Sequence, residues 1–344
     1  MGSKHPAAHA EDAFNDALGW VLSKRGFRTR VLAFAGYGSP RFARVMGRIV
    51  LSRLDSEELI DPLNEQSRRG IRAFLAAPQD DQLVTVELGD AQIEVVSDRG
   101  GYFDVVLTDH GLAPGWHHAR ITCGEARSTA PIQLISDEIR FGIVSDIDDT
   151  CLITSLPRPM IAAYNTFVRV ENTRRVVPGM SALYRSLLAH NPGSPMVYLS
   201  TGAWNTAPNL TRFLQRHGFP NGALLLTDWG ATETSIFRSG REHKRTQLRR
   251  LADEFPNIRW LLVGDDGQHD PAIYDEFAAD HPANVRAIAI RQLTVTQQML
   301  SHGTPISRDD GRESPTFKAE GADGYALFEQ LAQLRTLVTG KSHA

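Results

Sequence analysis

The chain has 344 residues, 42% of them hydrophobic, with a formal net charge of -3. That length suits two domains rather than one small core. The charge balance carries no basic excess of the kind a nucleic-acid binder shows, and two cysteines without metal spacing exclude a disulfide framework.

In chain order, residues 1–10 read as a flexible start. "MGSKHPAAHAED" lacks the apolar core of a secretory signal, and Pro6 spoils the myristoylation pattern that Gly2 suggests. Residues 11–24 place Ala13, Phe14, Leu18 and Val21 near one face, which predicts a helix ending before Gly26. Residues 1–28 are thus expected to form a tail and a helix.

The texture then changes to short β-rich runs separated by Gly, Pro and Asp. Val84, Val86 and Leu88 alternate with Thr85 and Glu87, the pattern of a strand with one face buried. "SDRGGYF" reads as a hairpin turn, and a helix near 63–76 interrupts the series. Residues 29–138 are expected to form a β-sandwich-like domain. It shows no catalytic set: His117 and His118 would point to opposite faces of a strand, and "GYGSP" lacks the glycine pattern of a nucleotide loop.

From 139 to 300, apolar runs of four or five residues alternate with amphipathic stretches near 179–190, 207–217, 242–254 and 271–279. Continuous apolar strands between helices are covered on both faces, so the prediction is a doubly wound parallel α/β sheet. Residues 301–344 read as a loop over 303–321 and a final amphipathic helix. No run reaches the roughly 18 apolar residues of a membrane span. The chain is expected to be soluble and cytoplasmic, with any membrane contact peripheral.

Ligands of open α/β sheets sit beyond the carboxyl ends of the strands. There the sequence delivers Asp146 and Asp148 after "FGIVS", Ser200, Thr201 and Gly202 after "VYL", and Asp265, Asp266 and Asp270 around "LLVGD". Lys244 lies early in the helix between the third and fourth strands. Singly, each has an ordinary reading as a turn, a cap or a solvated charge; together they form a set. Two acids at i and i+2 cannot both be buried unpaired, and a hard cation such as Mg2+ would offset their repulsion. One carboxylate can attack phosphorus, the second can shuttle the proton, a Ser hydroxyl can hold phosphate oxygens, and a Lys can stabilise the phosphoryl group.

The order DxDxT, Ser, Lys, GD and a later Asp resembles that of the haloacid-dehalogenase-like phosphatases. "FGIVSDIDDTCLITS", "VYLSTGAWN", "REHKRTQLRRL" and "LLVGDDGQHDPAIY" further resemble the App1 phosphatidate phosphatase family over about 139–295. The resemblance implies a haloacid-dehalogenase-type fold with a small or absent cap. It also implies a Mg2+-dependent phosphatase working through an aspartyl-phosphate. Asp146 would be nucleophile and metal ligand, and Asp148 acid/base and metal ligand through its carbonyl. Ser200 would bind phosphate, Lys244 would stabilise the phosphoryl group, and Asp265 and Asp270 would complete the metal site. Thr150, Thr201, Gly202, Trp204, Arg174 and Arg175 are the candidate loop and substrate contacts. Two departures stand out. Ala203 replaces the proline of the family's "SASPW", and Asp266 stands where a small polar residue is usual, so it would add charge to the metal site.

Only residues 151–179 are left for a cap, too few for a large folded lid. An open site suits phosphatidate at a membrane surface. "PMIAAYNTFVRV", flanked by Arg158, Arg169, Arg174 and Arg175, has the composition to meet an anionic interface, or the arginines can serve substrate phosphate. The same chemistry on a phosphoprotein, a nucleic-acid end or a soluble phosphomonoester stays open, as does a non-hydrolytic phospho-acceptor. Oligomeric state is not legible.

Overall fold

A computed structural model describes residues 27–52, 77–153, 175–227, 233–267, 269–295, 297–298 and 316–334. The expected helices at 11–24 and 63–76, and most of the stretch between Cys151 and Gly179, lie outside them. The chain divides into two compact units, Met1–Leu134 and Ile135–Ala344.

The first unit runs β1 (Arg28–Ala33), β2 (Gly36–Ser39), β3 (Phe42–Ser52), β4 (Ala77–Pro78), β5 (Leu83–Leu88), β6 (Ala91–Val96), β7 (Tyr102–Thr108), β8 (Gly115–Cys123) and β9 (Ala126–Leu134). These strands form one hydrogen-bonded network in the order β1-β3-β2-β9-β8-β5-β6, with β4 and β7 joined to β3. The cause is the length of β3. Its eleven residues pair with β2 and β7 near one end and with β1 and β4 near the other. Alternation supplies the core: Val84, Val86 and Leu88 of β5 meet Phe103, Val105 and Leu107 of β7 and Ile121 and Ile132 of β8 and β9 in one apolar cluster.

"SDRGGYF" makes its turn but not a hairpin. Asp98 accepts the backbone N–H of Gly100 and Tyr102 on its carboxylate, yet β6 pairs with β5 while β7 pairs with β3. Gly101 decides this. Its carbonyl accepts from Ile49 N at 2.7 Å, its φ is +77°, and a Cβ there would lie 2.3 Å from the Ile49 carbonyl. Docking on β3 outweighs the local pairing. His117 is spent on its own chain, its Nε2 lying 2.8 Å from the Ala113 carbonyl. Both cysteines are buried and free.

The second unit runs β10 (Phe141–Ser145), β11 (Leu152–Ile153), β12 (Arg175–Val176), α1 (Met180–His190), β13 (Met196–Ala203), α2 (Ala207–Arg216), β14 (Ala223–Thr227), α3 (Glu233–Glu254), β15 (Arg259–Asp265), α4 (Asp270–Asp280), β16 (Val285–Arg291), β17 (Lys318–Gly321) and α5 (Gly324–Leu331). Its main sheet is parallel throughout, in the order β14-β13-β10-β15-β16-β17. β10 is buried at all five positions, as a strand covered on both faces must be. The chain direction of strand placement reverses between β10 and β15, where such sheets open a crevice at their carboxyl ends.

Two details depart from the sequence reading. Lys318–Gly321, read as loop, is a strand in parallel register with β16; "KAEG" has no apolar run because it lies at the sheet edge. α3 begins at Glu233, well before residue 242, so Lys244 sits in mid-helix. A Cβ at Gly240 would come within 3.1 Å of the Thr201 side chain, so this glycine allows α3 to approach the loop that carries Ser200. No described helix is long and apolar enough to cross a membrane.

Candidate active site

β10 ends by handing Asp146 to the crevice. Its backbone N–H donates to the Val263 carbonyl at 2.8 Å, continuing the pairing with β15 by one residue. Its own carbonyl is held from behind: the Ser145 hydroxyl donates to it at 2.6 Å and in turn lies 2.7 Å from the Tyr184 hydroxyl on α1. The carboxylate is 1% exposed. Lys244 Nζ, from α3, donates to Asp146 Oδ1 at 2.7 Å and to Asp270 Oδ1 at 2.5 Å. Asp270 opens α4, where a carboxylate also favours the helix dipole. Asp265 closes β15 and accepts Gly267 N–H on Oδ1 at 2.7 Å.

One oxygen of each acid is left over. Asp146 Oδ2, Asp265 Oδ2 and Asp270 Oδ2 are buried without a hydrogen-bond partner, and the three carboxylates offer ligand atoms within 4.8 Å of one another. Buried carboxylate oxygens are costly unless something positive meets them. Burial pushes the Asp146 carboxyl well above the ordinary range, Lys244 opposes this, and Asp270 and Asp148 add to it. Burial likewise raises Asp265, reinforced by Asp270 and Asp146. Burial pulls the Lys244 ammonium down, but Asp146 and Asp270 together hold it above the ordinary lysine value. Three carboxylates against one ammonium leave an excess of negative charge on hard oxygen donors, and that set fits a divalent cation such as Mg2+.

Across the crevice, Ser200 Oγ donates to Asp148 Oδ2 at 3.1 Å and accepts Gly202 N–H at 2.9 Å. The strand bearing Ser200 continues to Ala203, with a register shift against β14 between Leu199 and Ala203. The bulge is pinned by Thr227, whose hydroxyl lies 3.0 Å and 3.2 Å from the carbonyls of Thr201 and Gly202. Ala203, in the place of the family's proline, keeps extended backbone with φ -79°, a value proline also adopts, and leads into a single turn that starts at the half-buried Trp204.

The structure therefore brings Asp146, Asp148, Ser200, Lys244, Asp265 and Asp270 to one edge. Thr150 is fully buried in the loop that follows Asp146. Arg175 is exposed on β12, paired in register with Ile153, and Arg174 lies outside the described residues. Asp266 turns away from the triad, contrary to the expectation that it adds charge there. Its Oδ1 accepts Leu293 N–H at 2.7 Å and its Oδ2 accepts Gln298 Nε2 at 3.1 Å, so it anchors the chain after β16.

Three supporting residues were not legible as such. Gly264 lies under Asp270: an added Cβ would stand 2.5 Å from Asp270 Oδ2. Gly264→Ala is expected to cost about 1–3 kcal/mol by overpacking and to weaken cation binding, both read from denaturant unfolding with and without Mg2+. His243, beside Lys244, is buried and pushed down to about 4, chiefly by burial, so it stays neutral while Lys244 carries the charge. Arg245 grips Glu276 with Nε and Nη2 at 2.9 Å and 2.7 Å, tying α3 to α4 next to the Lys244–Asp270 pair.

Residues 141–292 match the sequence model of phosphatidate phosphatase APP1, catalytic domain. Over that span the chain is similar to an APP1-type catalytic domain. The Saccharomyces cerevisiae phosphatidate phosphatase APP1 is 27% identical over 152 residues, 44% of this chain and 25% of that protein. An uncharacterised Schizosaccharomyces pombe protein is 26% identical over 161 residues, 46% of this chain and 26% of its own length. The chain thus spans about a quarter of the length of the curated relatives it matches. Among solved structures, a carbohydrate acetylesterase from Xanthomonas citri aligns over 92% of this chain and 76% of its own. At 11% identity and a TM-score of 0.32, that alignment bears on neither fold nor activity.

Proposed function

We propose that the chain hydrolyses phosphatidate to diacylglycerol and phosphate through an aspartyl-phosphate at Asp146, on a doubly wound sheet of haloacid-dehalogenase type with a small or absent cap. The observation that carries the chemistry is Asp146 itself. One carboxylate oxygen is held by Lys244, and the other, Oδ2, is buried without a partner beside two more acids. The substrate rests on the APP1 family match.

Asp146 Oδ2 attacks phosphorus and the bond to the glyceryl oxygen breaks. Asp148 donates its proton to that oxygen, and diacylglycerol leaves. Asp148 then takes a proton from water, whose oxygen attacks phosphorus; the bond to Asp146 breaks and phosphate departs. In this reading Ser200 binds phosphate oxygens, and Lys244, which opposes the upward push of burial on Asp146, stabilises the phosphoryl group. Mg2+ held by Asp146, Asp265 and Asp270, with the Asp148 carbonyl, would supply positive charge to the phosphoryl oxygens. A carboxylate at Asp148 favours hydrolysis over a lasting phospho-acceptor, because it assists water attack.

Peripheral membrane contact through residues 159–170 and a cytoplasmic location belong to the same proposal and rest on sequence alone. Phosphate release from phosphatidate in mixed micelles, lysophosphatidate, a phosphopeptide, a nucleic-acid 5′-phosphate and a soluble ester, each with Mg2+ and with EDTA, tests it. Phosphatidate is expected to turn over fastest, and EDTA to stop the reaction. Good turnover of a soluble ester beside none of phosphatidate would overturn the substrate. Mg2+ at about a hundred times its dissociation constant should add roughly 2.7 kcal/mol, raising the melting temperature of the unit holding the site by roughly 5–10 °C; an unchanged melting curve would count against the cation site.

A further inference from the structure

Asp149 has no chemical task in the scheme above, yet its backbone is unusual. It is 3% exposed and has φ +56°, in the left-handed region that costs energy for any residue but glycine. Such a conformation persists only where the surroundings hold it, and Arg291 is one of the residues that bind it here. Arg291 ends β16, in register with Asp265 on one side and Gly321 on the other. Its side chain is 4% exposed and reaches in three directions. Nη1 donates to the Asp149 carbonyl at 2.6 Å, Nε to the Ala322 carbonyl at 3.1 Å, and Nη2 to Gln297 Oε1 at 3.2 Å.

The two flanks of Asp149 explain why this grip matters. Before it stands Asp148, hydrogen-bonded to Ser200. After it stands Thr150, fully buried. The left-handed step makes the turn between them, so the Asp149 carbonyl and the Asp148 carboxylate belong to one short loop. Ala322, the second anchor, lies between β17 and α5, beyond the 141–292 span of the family match. That segment is itself fastened to the unit: Gln292 N–H donates to Gly321 at 2.8 Å, and Gly324 N–H to Pro178 at 2.9 Å.

We propose that Arg291 is a positioning residue for the catalytic loop: it grips the Asp149 carbonyl so that Asp148 stays against Ser200, and the segment 316–334 completes that grip through Ala322. The proposal rests on the reading of Asp148 as the acid/base. A planar fork with several fixed donors suits this place; the single ammonium of lysine keeps the charge but cannot reach three acceptors. Arg291→Lys therefore separates geometry from charge.

The experiment is steady-state kinetics of full-length wild type, Arg291→Lys and Arg291→Ala on phosphatidate in mixed micelles, with Mg2+ affinity measured by calorimetry and folding checked by thermal melts. The expected result for Arg291→Lys is a kcat lower by roughly 10²-fold, the scale of an ångström-level misplacement, with KM and Mg2+ affinity within about threefold of wild type. A purely structural role would lower kcat only in proportion to the folded fraction, and a purely electrostatic one would spare Arg291→Lys while impairing Arg291→Ala. Either pattern overturns the proposal, as does a normal kcat in Arg291→Lys. A wild-type chain with no turnover on any ester overturns the functional reading and this inference together, whereas normal wild-type turnover beside an unimpaired variant overturns the inference alone.

Discussion

Asp146→Asn is expected to abolish phosphate release, with a loss of roughly 10⁴-fold or more, the range seen when a nucleophile is removed. The amide keeps the shape of the side chain and loses what the site is built around. Lys244 Nζ, now 2.7 Å from Asp146 Oδ1, would keep only Asp270 as an ionised partner. The buried Oδ2 would become a neutral amide group with no capacity to attack phosphorus. Because the substitution removes one of three buried like charges, the folded protein should not suffer; Asp146 is held above the ordinary carboxyl range by burial, and losing that charge relieves strain rather than creating it. Activity and melting temperature measured on one preparation check both parts. Near-normal hydrolysis by this variant would refute the nucleophile.

Asp148→Asn is expected to lower kcat by roughly 10²–10⁴-fold, the usual contribution of a positioned acid/base, while KM changes little. Asp148 is partly exposed, and its carboxylate accepts the Ser200 hydroxyl at 3.1 Å. Asparagine can still accept that hydrogen bond, so the loop carrying Ser200 should keep its shape. The proton on the leaving oxygen, and later the proton from water, would have no carboxylate to serve them. The two variants thus separate by residual activity: Asp148→Asn should turn over slowly, and Asp146→Asn not at all. Equal activities in the two would contradict the division of roles.

The order of elements from β10 to β16 was legible because each strand is a continuous apolar run ended by a polar residue, and parallel burial on both faces leaves that mark. The acids and Ser200 were legible for the same reason, since the strand ends deliver them to one edge. Lys244 was legible only by its place between strands, because "REHKRTQLRR" also fits a solvated helix face. What escaped the sequence depends on tertiary contact. β17 carries no apolar run, because an edge strand has fewer neighbours to bury against. The turn at Gly101 pairs with β3, which is distant in sequence. Asp266 neighbours Asp265 in the chain, yet its carboxylate is spent on Leu293 and Gln298. Arg291 ends an apolar strand as the acids do, but its three acceptors come from three separate stretches of chain.

The most direct test of the covalent route is chemical trapping. Borohydride reduction of the protein during turnover converts an aspartyl-phosphate to homoserine, which mass spectrometry of the peptide containing residues 141–153 can locate. The predicted result is homoserine at position 146, dependent on substrate and on Mg2+ and absent from Asp146→Asn. Full turnover with no modification at Asp146, or modification at another acid, would contradict it.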